Sequence, residues 1–145
     1  MMSKISTILV DDEIKNNELL NIYLDKYCPN IEIIGIATTV EDAINKINNL
    51  QPNLIFLDIV LHDGTGFDVL EGVQHNDFSV VFITAFQEYA VTAFKFNAID
   101  FLLKPIDPKD LITTVNTIEE KYQKQIIYND TPARIGKNFY CHQNL

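Results

Sequence analysis

Short apolar runs alternate along this chain with longer segments of mixed polarity. Ile5 to Val10, Ile31 to Ala37, Asn53 to Leu57, Ser79 to Ile83 and Ile99 to Leu103 are rich in Ile, Val, Leu and Phe. Runs this short and this continuously apolar predict strands covered on both faces of a parallel sheet. Between them apolar residues recur at helical spacing: Leu19, Leu20, Tyr23 and Leu24; Val40, Ala43, Ile44 and Ile47; Phe67, Val69, Leu70 and Val73. The stretches Tyr89 to Phe94 and Leu111 to Tyr122 complete the set. The pattern predicts a (βα)5 chain of the α/β class, with right-handed crossovers that place helices on both faces of the sheet.

Several element boundaries have a local cause. Thr39 is suited to N-cap the second helix with Asp42 at its third position, and Asp107-Pro108 supplies a cap followed by proline at the start of the last helix. Gly64 and Gly66 supply turn freedom before the third helix. The last helix is expected to end near Gln125, giving one domain over 1–125 and leaving 126–145 as a tail or the start of a truncated second domain.

Composition removes several function classes. The 11 Lys and Arg against 20 Asp and Glu, a net charge of −9, argue against direct nucleic-acid binding, which draws its affinity from cations on phosphates. Cys28 and Cys141 lack CxxC spacing, and His62, His75 and His142 are scattered rather than clustered as zinc ligands. No apolar stretch approaches the roughly 20 residues that span a bilayer, and the start lacks the apolar core of a signal peptide. A cytoplasmic protein without membrane contact is expected.

The residues able to do chemistry fall where the apolar runs end. Asp11 and Asp12 close the first run, Asp58 the third, Thr84 the fourth and Lys104 the fifth. In an open parallel sheet, carboxyl strand ends line the ligand crevice, so these side chains are expected to converge. Carboxylates crowded together raise one another's pKa, and a hard divalent cation relieves that cost. Mg2+ suits the set because it takes one or two carboxylates and keeps its remaining positions for water and phosphate oxygens. For phosphoryl transfer to a carboxylate, Asp58 is the candidate nucleophile and Asp11 and Asp12 the candidate metal holders. Thr84 can donate to one phosphoryl oxygen and Lys104 can neutralise another. A cis bond at Lys104-Pro105 would aim the lysine inward.

These residues resemble the receiver domain of bacterial two-component response regulators. The resemblance is carried by Ile8-Leu9-Val10-Asp11-Asp12-Glu13, Leu54-Ile55-Phe56-Leu57-Asp58-Ile59, Asp63-Gly64-Thr65-Gly66-Phe67, Phe82-Ile83-Thr84-Ala85 and Asp100-Phe101-Leu102-Leu103-Lys104-Pro105, over about residues 4–125. It implies a flavodoxin-like, doubly wound five-stranded parallel sheet in the order 2-1-3-4-5. It implies a phosphoryl group passed from a sensor histidine kinase to Asp58, with Mg2+ held by Asp11, Asp12, Asp58 and the backbone carbonyl of Val60. It also implies that Thr84 and Phe101 form a switch pair, although Phe101 lacks the hydroxyl a tyrosine would bring. The stretch from Thr84 through Phe94 and on to Phe101 is similar to receivers followed by a LytTR-type DNA-binding domain. DNA contact would come only through that further domain, which this chain does not contain; the chain is expected to be either truncated or a stand-alone receiver.

Other readings fit less well. A Mg2+-dependent aspartyl-phosphate phosphatase favours a nucleophile at the end of the first strand with an acid two residues on, where this chain has Glu13. A flavodoxin-like cofactor binder wants a glycine- and hydroxyl-rich phosphate loop after the first strand, where Asp11-Asp12-Glu13 would repel the anion. A pseudo-receiver acting without phosphorylation is expected to have lost Asp58, Thr84 or Lys104, and all are present. The chain is therefore expected not to be an enzyme beyond Mg2+-dependent self-phosphorylation from phosphodonors. Apolar Val60 and Phe86 near the acceptor predict slow self-dephosphorylation. His62 is expected to be a solvated loop residue. The aromatic residues Phe86, Tyr89, Phe94 and Phe96 suggest mostly core packing, with a remainder for a homodimer through the fourth helix, fifth strand and fifth helix.

Overall fold

The computed structural model describes residues 3–74 and 77–130. Five strands, β1 (Ile5–Val10), β2 (Ile31–Ala37), β3 (Leu54–Leu57), β4 (Ser79–Thr84) and β5 (Asp100–Leu103), form one parallel sheet. Its order is β2-β1-β3-β4-β5, as expected from the sequence. The helices are α1 (Ile14–Tyr27), α2 (Val40–Leu50), α3 (Gly66–Gly72), α4 (Ala90–Lys95) and α5 (Pro108–Asp130). A 3-10 turn, Gln87–Tyr89, leads into α4.

The continuous apolar runs are explained by two separate cores. Successive strand residues point to opposite faces, so Leu9, Phe56 and Val81 join Leu20, Leu24, Leu111, Val115 and Ile118 beneath α1 and α5. Their neighbours Ile8, Ile55 and Phe82 join Ala43, Ile47, Val69 and Ala93 beneath α2, α3 and α4. Both faces are buried, so both sets of positions are mostly apolar.

The expected caps at two helices are present. Thr39 Oγ1 accepts from the Asp42 amide at 3.0 Å, and Asp107 Oδ1 accepts from the Lys109 amide at 2.9 Å with Pro108 at the first helical position. Two expectations need correction. The last helix does not end near Gln125 but continues through Asp130; nothing breaks the helix there, since 126–130 hold neither glycine nor proline. The tail from 131 onward, with Cys141 and His142, and likewise His75, lies outside the described residues.

The glycines before α3 divide their roles. Gly64 has φ +154°, a backbone that side chains rarely adopt. Gly66 was expected to supply turn freedom, but its need is spatial: a Cβ there would meet the Asp58 carbonyl oxygen at 2.5 Å. Around them a short antiparallel hairpin pairs Val60–Leu61 with Gly64–Thr65.

Candidate functional site

The sheet register delivers the candidate residues to one crevice. The Asp11 amide donates to the Ala37 carbonyl at 3.1 Å, the Asp58 amide to Val10 at 2.9 Å, and the Lys104 amide to Thr84 at 2.9 Å. Each residue therefore hangs on the last hydrogen bond of a strand pair, one step beyond regular sheet. With side chains alternating along each strand, that step brings three chemically active groups to the same edge.

The carboxylates meet there. One oxygen from each of Asp11, Asp12 and Asp58 lies within 4.8 Å of the others. Lys104 Nζ donates to Asp11 Oδ2 at 2.7 Å and to Asp58 Oδ2 at 2.8 Å. The Lys104-Pro105 bond is cis. Three carboxylates against one ammonium leave the cluster with two uncompensated negative charges. A hard divalent cation matches that deficit and these oxygen donors, so the residues present fit Mg2+.

Burial shifts the titration of Asp58. Asp58 is 6% exposed, and desolvation holds its carboxyl above the ordinary value. The Lys104 hydrogen bond and charge pull the other way, and the negative charge of Asp11 adds to the rise. For Lys104, burial alone would lower the pKa, but its bonds to Asp11 and Asp58 outweigh that and raise it. The ammonium therefore stays charged.

Thr84 stands apart in its bonding. Among the described residues its Oγ1 is the buried side-chain polar atom without a hydrogen-bond partner. Leaving such a group unsatisfied costs about 1–3 kcal/mol. It closes β4, which pairs with β3, the strand that Asp58 follows.

Some residues around the site were not singled out from the sequence. Asn17 is 2% exposed on α1, and its Nδ2 donates to the Asp11 carbonyl at 3.1 Å. Asp11 Oδ1 accepts from the Glu13 amide at 2.9 Å and from Asn16 Nδ2 at 3.4 Å. The available signal was spacing: Asn17 shares a helix face with Leu20 and Leu24, so a polar residue had to be satisfied at a buried position. Asp63 accepts from the Val40 amide at 2.9 Å, which ties the hairpin carrying Val60 to the start of α2.

The other candidates are placed as follows. Phe101 is half-buried against the core beneath α4. Val60 and Phe86 are exposed, and the Val60 amide donates to Asp58 Oδ1 at 3.4 Å. His62 is exposed with Nδ1 3.5 Å from Asp12 Oδ2. Of the aromatics near α4, Tyr89 and Phe96 pack against Phe67, whereas Phe86 and Phe94 face outward. Cys28 is buried and its thiol is pushed up to about 11, which removes it as a nucleophile. Among the described residues no helix is long and apolar enough to cross a membrane.

Known proteins resemble this chain in sequence and fold. The response regulator receiver domain family matches residues 7–116. The sensory transduction protein LytT of Bacillus cereus is 36% identical over 124 residues, covering 84% of this chain and 50% of LytT. The transcriptional regulatory protein BtsR of Salmonella typhi is 37% identical over 123 residues, covering 83% of this chain and 51% of BtsR. This chain thus spans about half the length of the curated relatives it matches. Among solved structures, the response regulatory domain of mrkE from Klebsiella pneumoniae superposes with a TM-score of 0.75 at 26% identity, covering 82% of this chain and 98% of that one. A match that runs from the first strand into the last helix assigns the whole described crevice to one lineage: the chain belongs to the response regulator receiver domain family.

Proposed function

We propose that this chain accepts a phosphoryl group on Asp58 from the phosphohistidine of a sensor histidine kinase, in a Mg2+-dependent reaction. The observation that carries this reading is the pairing of a buried, ammonium-held carboxylate at Asp58 with the unsatisfied hydroxyl of Thr84. Resting donors and charge in the crevice exceed what the resting carboxylate uses.

An Asp58 oxygen attacks phosphorus while the P–N bond to the kinase imidazole breaks, and the bonding pair leaves on the nitrogen, which then takes a proton. Lys104 moves its ammonium onto a phosphoryl oxygen, keeping Asp11 as its second partner. Thr84 donates to another phosphoryl oxygen and gains the hydrogen bond it lacks. Asp11, Asp12, Asp58 and the Val60 backbone carbonyl would hold Mg2+, which supplies charge neutralisation on the phosphoryl oxygens.

As Thr84 moves inward, Phe101 turns into the space released, and the face built from α4, β5 and α5 changes shape. The receiver, residues 1–125 by this reading, then controls an output carried elsewhere. That output is transcription through a LytTR-type DNA-binding domain, supported by the similarity to the sensory transduction protein LytT and the transcriptional regulatory protein BtsR.

Intact-mass analysis after incubation with Mg2+ and acetyl phosphate tests the core of this reading. A gain of one phosphoryl group, roughly 80 Da, in wild type and none in Asp58→Asn is expected. No gain in wild type, with Mg2+ bound, would point instead to a phosphorylation-independent interaction domain.

A further inference from the structure

The phosphoryl chemistry derived above leaves two neighbouring features unused. One is a cavity of about 380 Å3 beside Asp58, between α1 and the turn from β5 to α5, whose walls at Leu19, Leu20, Phe56 and Ile106 are hydrocarbon and select no particular occupant. The other is a nitrogen donor at the edge of the carboxylate cluster.

His62 stands at the turn of the hairpin that pairs Val60–Leu61 with Gly64–Thr65. That turn is anchored: the next residue, Asp63, accepts from the Val40 amide at 2.9 Å, and the Gly66 amide donates to the Ile59 carbonyl at 2.8 Å. His62 is thereby delivered to Asp12, with Nδ1 3.5 Å from Asp12 Oδ2. Spacing among the histidines gave no sign of a metal ligand, because the partner is an aspartate at the end of β1 and only the fold brings the two together. Asp12 is the most exposed of the three carboxylates at 14%, and the His62 side chain is 82% exposed, so little packing opposes its turning toward an ion that Asp12 holds.

As an ion pair this contact gains little, since water screens it. Its spacing is also that of two ligands on one cation. Donors about 2.1 Å from an ion stand about 3.0 Å apart at octahedral angles and about 3.4 Å apart at tetrahedral ones. Carboxylate oxygens suit Mg2+, whereas an imidazole nitrogen favours the later first-row divalent ions.

Resting on the reading of Asp11, Asp12 and Asp58 as metal holders, we propose that His62 is an additional ligand of this centre. Its nitrogen lets Zn2+, and chemically similar ions such as Co2+, compete with Mg2+ better than the carboxylates alone would. Mg2+ keeps oxygen ligands and leaves His62 in water.

The test titrates the full chain with Co2+ and with Mg2+ by calorimetry, in wild type, His62→Ala and Asp12→Asn. His62→Ala, an exposed loop change, is expected to weaken Co2+ by about tenfold, the scale on which a lost partner of a metal site shows, and to leave Mg2+ within about twofold. Asp12→Asn is expected to weaken both ions, because its carboxylate serves either. Bound Co2+ moves the ring protons of a ligating imidazole far outside the usual proton spectrum; that signal is expected in wild type and lost in His62→Ala. An equal loss for both ions in His62→Ala, or no loss for either, would reduce the contact to an ion pair and overturn the ligand. So would a shifted signal that survives in His62→Ala, or Co2+ binding indifferent to Asp12→Asn. Each of these leaves the metal-holder reading standing if Mg2+ binds wild type. Failure of Mg2+ to bind wild type would overturn that reading and the ligand together.

Discussion

At Asp58, burial and negative charge oppose each other. Its carboxyl is held above the ordinary value because desolvation outweighs the help of Lys104. Over the window between the ordinary and the raised value, the folded state keeps a proton that the unfolded state releases. Stability therefore falls as pH rises through that window, and above it the ionised group remains a cost. Without Mg2+, Asp58→Asn is expected to show a higher thermal midpoint than wild type at pH 7, with the gap closing as pH drops below the ordinary carboxyl range. Lys104 retains its bond to Asp11 at 2.7 Å in that variant; a lower midpoint at pH 7 would refute the argument. Val60 makes a kinetic prediction. Its exposed apolar side chain lies two residues from Asp58, the proposed acceptor, and is expected to hinder an in-line water there. Val60→Asn should speed loss of the phosphoryl group, and an unchanged lifetime by intact mass counts against it. Asn17 acts on stability through the Asp11 carbonyl. Asn17→Leu orphans that buried acceptor and should lower the unfolding free energy by about 1–3 kcal/mol in denaturant titration. The acidic, hydroxyl and basic residues of the site were legible because they directly follow apolar runs. For Asn17 the helix-face spacing with Leu20 and Leu24 marked a buried polar position, but its partner, a backbone carbonyl, has no side-chain signature.

The elements show where local rules hold and where packing takes over. α3 begins with a reciprocal cap: Thr65 Oγ1 accepts from the Asp68 amide at 3.1 Å, and Asp68 Oδ2 accepts from the Thr65 amide at 2.9 Å. The spacing of Thr65 and Asp68 carries this signal in the sequence. The cap also positions Gly66, whose amide donates to the Ile59 carbonyl at 2.8 Å next to the acceptor. Thr65→Ala is expected to cost about 1 kcal/mol, seen as a lower denaturation midpoint, whereas Thr65→Ser should change it little. At the other end of the sheet, Tyr122 donates its hydroxyl to the Asn53 carbonyl and Lys121 Nζ donates to Ser79 Oγ at 2.8 Å. Those bonds tie α5 to the starts of β3 and β4. They join residues far apart in sequence, so no local pattern announces them.

For the whole molecule, the informative feature is a set of exposed apolar side chains on α4 and β5. Val91 is 70% exposed, Phe94 57% and Leu103 42%, on the face shared by α4 and β5. Val91 and Phe94 are three apart on one helix and so share a face, where apolar exposure is the expectation for a homodimer contact. Light scattering is expected to show a doubled mass after phosphorylation and a monomer for Phe94→Asp treated alike. An unchanged monomer mass with wild type in both states would remove the dimer.

Strand number, the two-faced burial of the sheet and the convergence of Asp11, Asp12, Asp58 and Lys104 were determined by the sequence itself, while the strand order came from the family resemblance that its motifs carry. Apolar run length and handed crossovers constrain topology strongly, and side chains at strand ends have only one edge to occupy. The fate of individual aromatics was decided by tertiary structure. Phe96 stacks on Phe67 at 4.9 Å between ring centroids while Phe94, two residues earlier, faces outward. Which ring is covered depends on how the short α4 sits over α3, and that is set by contacts among distant residues. The same holds for the cavity beside Asp58. Its walls come from α1 and from the turn after β5, and their separation is a property of packing that no stretch of sequence contains.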